Sequence, residues 1–450
     1  MITNRLRGPL VAGGALLAVL TQRVPSLTGQ PPVGDPIYRT RRTAAMAALA
    51  HRILIVPSRS SFMFDDQPGF QQAPDFQYLT ALNHLVGAVL VLDGPTRSTV
   101  LFLPRPNPVV NRPFPTPDRT SASRLQLDAV LPIDSLELWV RRHWAAASAI
   151  LVSPTDTRGA VAIPPPMANG VVRWSHYLGG LGWKGAVGSA VTVLRPLRDI
   201  KDQGEIAILE RVGRLSAQAM LVGMRALRPG RRQRDAALPV IAACVTGGGR
   251  QSFWPWLMSG PRAVFTELFD FFVDYEGHDR VMRAGELTRV DVGCQLDHYM
   301  GDVGRTAPVD GRFDAGQREA WDLFVAGYRA GLTVLRDGVE VAAVYRAALA
   351  RVRELSPRLT TTLGRLAADT LLGRGGTDAW EIHGVGLDDA EGQPPVLRAG
   401  MTVAYELMFA VRGQGFYLED MILIEPHGYR LLTPGLPYAA AEIEAAMTAR

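Results

Sequence analysis

The sequence predicts an α+β protein built from two structured units, an α/β domain followed by a longer domain of helices and hairpins. Three observations lead there. The chain has 450 residues, 47% of them hydrophobic and 20% charged, an ordinary globular composition with room for a sizeable core and two or three domains. Between about residues 37 and 190, β-branched apolar runs alternate with helical stretches. From about residue 191 onward, long amphipathic helices alternate with paired apolar runs that hold acidic residues in their interiors.

The first 28 residues stand apart. "MITNRLRGPLVAGGALLAVLTQRVPSLTG" begins with Arg5 and Arg7 and continues with a nearly apolar run from Pro9 to Leu20. That run is shorter than the roughly 20 residues of a membrane span and suits the apolar core of a signal peptide. The pattern predicts export to the periplasm or outside the cell, a mature chain beginning near residue 27, and no stable membrane insertion after leader removal. A non-functional leader would leave the chain in the cytoplasm. The linker "TGQPPVGDP" then leads into the α/β domain at 37–190, with a helix over 39–51, the strand "ILIVPS", the segment "DFQYLT" and the strands "LVGAVLVLDG" and "STVLFLPR".

The second domain, 191–450, opens with "DIKDQGEIAILERVGRLSAQAM", whose Ile206, Leu209, Val212 and Ala219 recur at helical spacing up to Pro229-Gly230. In "DAGQREAWDLFVAGYRAGLTVLRDG" Asp314 and Gln317 form a capping pair. Trp321, Phe324, Val325, Tyr328 and Leu332 make the apolar face, and Gly338 is the expected stop. Two helix-plus-hairpin units hint at an internal duplication.

Charge and cysteine content narrow the function classes. The formal charge is +5 and only two of the 48 basic residues, Lys184 and Lys201, are lysines. The arginines are scattered without interleaved aromatics, so no nucleic-acid partner is expected. Cys244 and Cys294 form no metal-binding spacing; buried thiols are the expected state, with a single bridge as the alternative.

The chemistry sits in two hairpins. In "VDVGCQLDHYMGDVGRT" a turn centred between Leu296 and Asp297 puts Asp291 opposite Asp302. In "VAYELMFAVRGQGFYLEDMILI" a turn between Arg412 and Gly413 puts Glu406 opposite Glu419. Directly opposed residues lie about 4.5–5.5 Å apart at Cβ, so each pair repels unless a positive charge intervenes. Buried carboxylates cost several kcal/mol each unless paired or metal-bound. His383, in "WEIHGVGLDD", supplies a fifth donor. Four carboxylates and one imidazole suit two divalent cations.

These motifs resemble the pita-bread metallopeptidases, in the Xaa-Pro aminopeptidase and prolidase branch. The likeness rests on "VDVG", "GDVGRT", "PVDGRF", "HGVGL", "LRAGMTVAYE" and "YLEDMILI", with "LRDIKDQGEIAIL" and "DFQYLT" before them, and covers nearly the whole chain from about residue 37. It implies a creatinase-type N-terminal domain and a pita-bread catalytic domain. It also implies metal ligands at Asp291, Asp302, His383, Glu406 and Glu419, with Glu406 doubling as general base. The activity implied is removal of the N-terminal residue from short peptides with proline second. Manganese is the first expectation for the two divalent ions, with zinc, cobalt and iron also compatible, and the assembled form is expected to be a homo-oligomer.

The resemblance is incomplete. Asp274 stands where a substrate-contacting His is usual, and His278 lies four residues on, so both are candidate catalytic positions. Ala379 and Ala390 replace usual histidines, Tyr417 replaces a usual Arg, and Leu407 a usual Pro. A lost oxyanion donor is typically worth about 10²–10³ in rate. The competing reading is therefore a weakened member of the family, acting as a metal-stabilised binding protein or on another C–N bond.

Overall fold

The computed structural model describes residues 31–59, 71–106, 115–153, 170–263, 274–374 and 380–448. The leader and Ala379 lie outside the described residues. The N-terminal α/β domain holds a six-stranded mixed sheet: β1 (Arg52–Pro57), β2 (Val89–Asp93), β3 (Ser98–Leu103), β4 (Ala129–Pro132), β5 (Ala149–Val152) and β6 (Ala186–Ser189). Their spatial order is β4-β3-β2-β1-β5-β6. The runs read as strands from their β-branched content are buried almost throughout, as expected of a sheet covered on both faces.

The C-terminal half is built on a second sheet. It contains β8 (Trp256–Ser259), β9 (Leu287–Val292), β12 (Val303–Pro308), β13 (Trp380–Gly384), β14 (Thr402–Val411), β15 (Gln414–Glu425) and β16 (Gly428–Leu431). The order is β13-β14-β15-β12-β9-β8, with β16 pairing β15. A small three-stranded sheet, β11-β10-β7, comes from β7 (Arg250–Gln251), β10 (Cys294–Leu296) and β11 (Tyr299–Met300). This is the α+β, pita-bread architecture the sequence predicts.

The helices that back the sheet start where side-chain caps dictate. Asp202 caps Gln203–Ala226 in a reciprocal box with Glu205, and Asp314 does the same for Ala315–Leu332 with Gln317. The latter helix ends at Leu332, six residues before the expected Gly338, which takes φ 77° in the connection that follows. On its buried face Tyr328 stacks on Tyr405, ring centroids 4.4 Å apart.

The hairpin between β9 and β12 corrects one expectation. Asp291 pairs with Gly304, and Asp302 lies two residues along from that partner. The turn falls on Asp297-His298, which both take positive φ (49° and 71°), one position later than the sequence suggested. Asp and His are among the few side chains that tolerate this region, and no glycine marked it. A one-step shift of the turn moves each cross-strand partner by two, so both aspartates still share a face.

Cys244 and Cys294 are joined, Cα–Cα 5.3 Å, a span normal for a disulfide. Buried thiols were the expected state. Packing of the helix Gln233–Thr246 against β7, the partner of β10, brings the two sulfurs together, a contact that spacing cannot reveal. Titration of the denatured, unreduced protein should find no free thiol, and Cys294→Ala should lower the stability measured by urea melts by about 2–4 kcal/mol.

Candidate metal centre

Strand register assembles the site in three adjacent rows on one sheet face. In the central row Trp256 opposes Asp291, Asp291 opposes Gly304, Gly304 opposes Glu419, and Glu419 opposes Glu406. The turn at Arg412-Gly413, both at positive φ (49° and 69°), fixes the Glu406–Glu419 pairing. Two positions to one side, His383 opposes Ala404 and Ala404 opposes Met421. Two positions to the other side, Arg289 opposes Thr306, and Tyr417 opposes Met408. Gly304 is needed there, because a Cβ would lie 1.8 Å from the Tyr417 ring.

Ligand atoms of Asp302, His383 and Glu419 lie within 4.8 Å of one another. His383 Nε2 is 3.7 Å from both Glu406 Oε1 and Glu419 Oε1. Asp291 joins them electrostatically. Its carboxyl is pushed up to about 7 by burial, against the pull of Arg289 and with the push of Glu419. Burial and then Glu419 raise Glu406 to about 8, and burial with the charges of Glu419 and Asp291 raises Asp302 strongly. Burial opposes the His383 charge, but the neighbouring Glu419 and Glu406 carboxylates outweigh it and lift the ring to about 10. Without a cation these groups would have to hold protons. That is the signature of a site whose positive charge comes from elsewhere.

Neighbouring residues show that the fold can satisfy a buried carboxylate when it needs to. Asp420, on the opposite face of β15 from Glu419, accepts from Arg305 Nη2 (2.9 Å), Thr433 Oγ1 (3.0 Å), Tyr328 OH (2.9 Å) and Tyr438 OH (2.7 Å). Glu419 accepts from Tyr417 OH at Oε2 (2.6 Å), while its buried Oε1 lacks a hydrogen-bond donor. Asp291 accepts from Arg289 Nη2 at Oδ2 (2.8 Å), and its buried Oδ1 likewise lacks a donor. Orphaned carboxylate oxygens beside an imidazole are the donor set that a divalent cation takes, so the residues present fit the implied metals.

The other candidates fall differently. Asp274 caps the short helix Tyr275–His278 by accepting from Gly277 N, and His278 places Nδ1 3.0 Å from Asp274 O. Asp274 is the N-cap of that helix and His278 its last residue, so both lie just before β9. Ala390 follows Asp389 in the loop after His383, and Leu407 is core. Arg289 was missed. Its signal was an arginine two residues before Asp291 inside an apolar strand, and it is almost wholly buried with its guanidinium 4.0 Å from the Tyr417 ring centroid.

Family models agree with this geometry. Metallopeptidase family M24 matches residues 207–426, and the aminopeptidase P N-terminal domain matches residues 38–151. The chain belongs to the M24 metallopeptidase family. Among curated relatives, the Xaa-Pro aminopeptidase of Escherichia coli (strain K12) is 27% identical over 278 residues, 57% of this chain and 61% of the relative. That of Haemophilus influenzae is 25% identical over 274 residues, 56% of this chain and 61% of the relative. These matches thus span about three-fifths of the relatives' length. In fold, the chain is similar to the proline aminopeptidase P II from Yersinia pestis, with TM-score 0.71, 23% identity, and coverage of 91% of this chain and 98% of that one. Aminopeptidase P from E. coli with the inhibitor Pro-Leu gives TM-score 0.71 at 21% identity, covering 91% and 97%.

The raised carboxyl and imidazole values fix a pH dependence. Native Asp291, Glu406 and His383 bind more protons than the unfolded chain does, so stability of the metal-free protein falls as pH rises. The carboxyls contribute this loss between about pH 4 and pH 8 and the imidazole between about 6.5 and 10. Melting in chelator should therefore drop from pH 5 to pH 8, and added divalent cation should restore more at pH 8. A flat melting temperature across that range would contradict the arrangement.

Proposed function

We propose that the chain is a metal-dependent exopeptidase that releases the N-terminal residue from peptides with proline in second position. The contrast between Glu419 and Asp420 carries this reading: one carboxylate is fully satisfied by protein donors, while its neighbour keeps a buried oxygen without one. Membership of a metallopeptidase family and the names of the relatives supply the reaction class.

Asp291, Asp302, His383, Glu406 and Glu419 would hold two divalent cations. When bound, these would polarise the scissile carbonyl and lower the pKa of the attacking water. Glu406, raised by burial and by Glu419, can take a proton at a carboxylate oxygen near neutral pH and return it to the leaving nitrogen. The buried sheet face strengthens each of these electrostatic effects. The loop after His383 is tied to the N-terminal domain through Arg198, which bonds Asp75 of that domain (2.8 Å) and Asp388 of the loop (3.2 Å). That tie supports a site restricted to short peptides.

Manganese belongs to this reading because carboxylate-rich shells suit it. Export is supported by the leader-like pattern and by the disulfide, which is characteristic of oxidising compartments. Self-association is supported by Leu238 and Val245, 57% and 55% exposed on one helix.

Loading with manganese, cobalt or zinc in turn should give release of the first residue from an Ala-Pro peptide. Glu406→Gln should lower kcat by about 10²–10⁴-fold, and Asp302→Ala should abolish both turnover and the metal-induced rise in melting temperature. No turnover with any of the three metals would sink the peptidase reading.

A further inference from the structure

Two adjacent arginines on the first helix, Pro36–Leu49, are partnered differently. Arg41 pairs with Asp202 (2.6 Å) and Glu205 (3.2 Å). Arg42, one step round the helix, has no salt bridge among the described residues. Its Nη1 donates to Leu79 O (2.7 Å) and its Nη2 to Leu125 O and Gln126 O (both 2.9 Å), carbonyls at the ends of two short helices. The other buried arginines, Arg289 and Arg305, are paired like Arg41, with Asp291 and Asp420. Arg42 is the exception. Burial, and then the like charge of Arg39, pull it down to about 10, with Asp128 opposing the shift.

The surroundings of Arg42 form a cavity of about 460 Å³. Arg39, Arg42, Thr43 and Met46 recur at helical spacing and wall one side of it. Arg97 lines it from the turn between β2 and β3, and Ser123, Leu127 and Asp128 complete it from the segment before β4. Arg97 takes φ 60°, a conformation that hairpin turns ordinarily give to glycine, and its Nη1 donates to Met46 O (3.2 Å). Neither Arg39 nor Arg97 has a salt bridge among the described residues. Asp128, the one acid of the lining, already accepts from Thr99 N (2.7 Å). Three guanidinium groups against one engaged carboxylate leave the cavity positive.

We propose that this cavity of the N-terminal domain binds the phosphate group of a small soluble molecule, held by Arg39, Arg42 and Arg97. The site is separate from the metal centre and does not depend on the reading given to it. Guanidinium forks match phosphate oxygens in geometry and charge. A buried cation without a counter-ion is costly, and the anion would supply the charge that Arg42 alone among the buried arginines lacks. The hydroxyls of Thr43 and Ser123 offer further donors. The volume exceeds that of a lone phosphate and lies within the range of small-molecule sites, roughly 300–1,000 Å³. Met46 and Leu127 give the organic part an apolar wall. Holding an arginine rather than a glycine at a positive φ costs stability, as residues kept for a ligand often do.

The experiment is calorimetric titration of the full-length protein with sodium phosphate, against sodium chloride at matched ionic strength. Wild type should show saturable binding of phosphate and none of chloride. Arg39→Gln and Arg97→Gly should each weaken it roughly tenfold. Both side chains are exposed, so both variants should fold, and Arg97→Gly should melt near wild type because glycine suits that φ. Arg353→Gln, an exposed arginine on the helix Val341–Leu355, should bind as wild type does. No saturable phosphate binding overturns the proposal. So does binding that survives both cavity variants, which would place the anion elsewhere, at the metal centre included, or binding that Arg353→Gln weakens equally. Sedimentation with vesicles carrying phosphatidic acid, without binding of free phosphate, would make the anion a lipid headgroup and overturn the small-molecule assignment.

Discussion

Electrostatic repulsion among carboxylates on one buried sheet face is the constraint around which the C-terminal half is arranged. Asp291, Asp302, Glu406 and Glu419 share that face with a single imidazole. Removing such groups from water costs several kcal/mol per charge unless hydrogen bonds or cations compensate. Asp420, one residue from Glu419, receives four hydrogen bonds and needs nothing more. Glu419 and Asp291, on the other face, each keep a buried oxygen without a hydrogen-bond donor, which the proposed cations would take. A fold that fully satisfies one buried acid and leaves its neighbour open has separated structural from functional charge by strand alternation alone.

The surroundings follow from this constraint. Gly304 lacks a side chain so that Tyr417 can lie across the row. Arg289, on β9, then stacks on Tyr417, which holds a guanidinium beside Asp291, whereas the resemblance puts the usual Arg at position 417 on β15. The loop after His383 is held at Asp388 and Glu391 by Arg198 and Lys201. The link from Arg198 to Asp75 makes the N-terminal domain part of the support for that loop. The disulfide ties the helix Gln233–Thr246 to β10, within the hairpin that carries Asp291 and Asp302.

Legibility varied with the strength of local signals. The Glu406–Glu419 hairpin could be read because "VRGQG" places a glycine at one of its two positive-φ positions, and long apolar strands on either side fix the register. The first hairpin was misplaced by one residue because Asp297 and His298 adopt the left-handed region without a glycine to mark it. The error did little harm, since side chains alternate with period two. The capping box at Asp314 was visible because a cap and its partner lie three residues apart in sequence.

The sequence by itself determined which acids would lie inside apolar strands, that Glu406 and Glu419 pair across their hairpin, and where the helix after Asp314 begins. All of these depend on contacts between residues close along the chain. Only the tertiary structure decided that Arg289 meets Asp291 and Tyr417, that Asp420 rather than Glu419 is satisfied, and that Cys244 meets Cys294. Each of those outcomes depends on packing between elements far apart in sequence. Periodicity gives the direction in which a side chain points, and packing alone gives the partner it finds there.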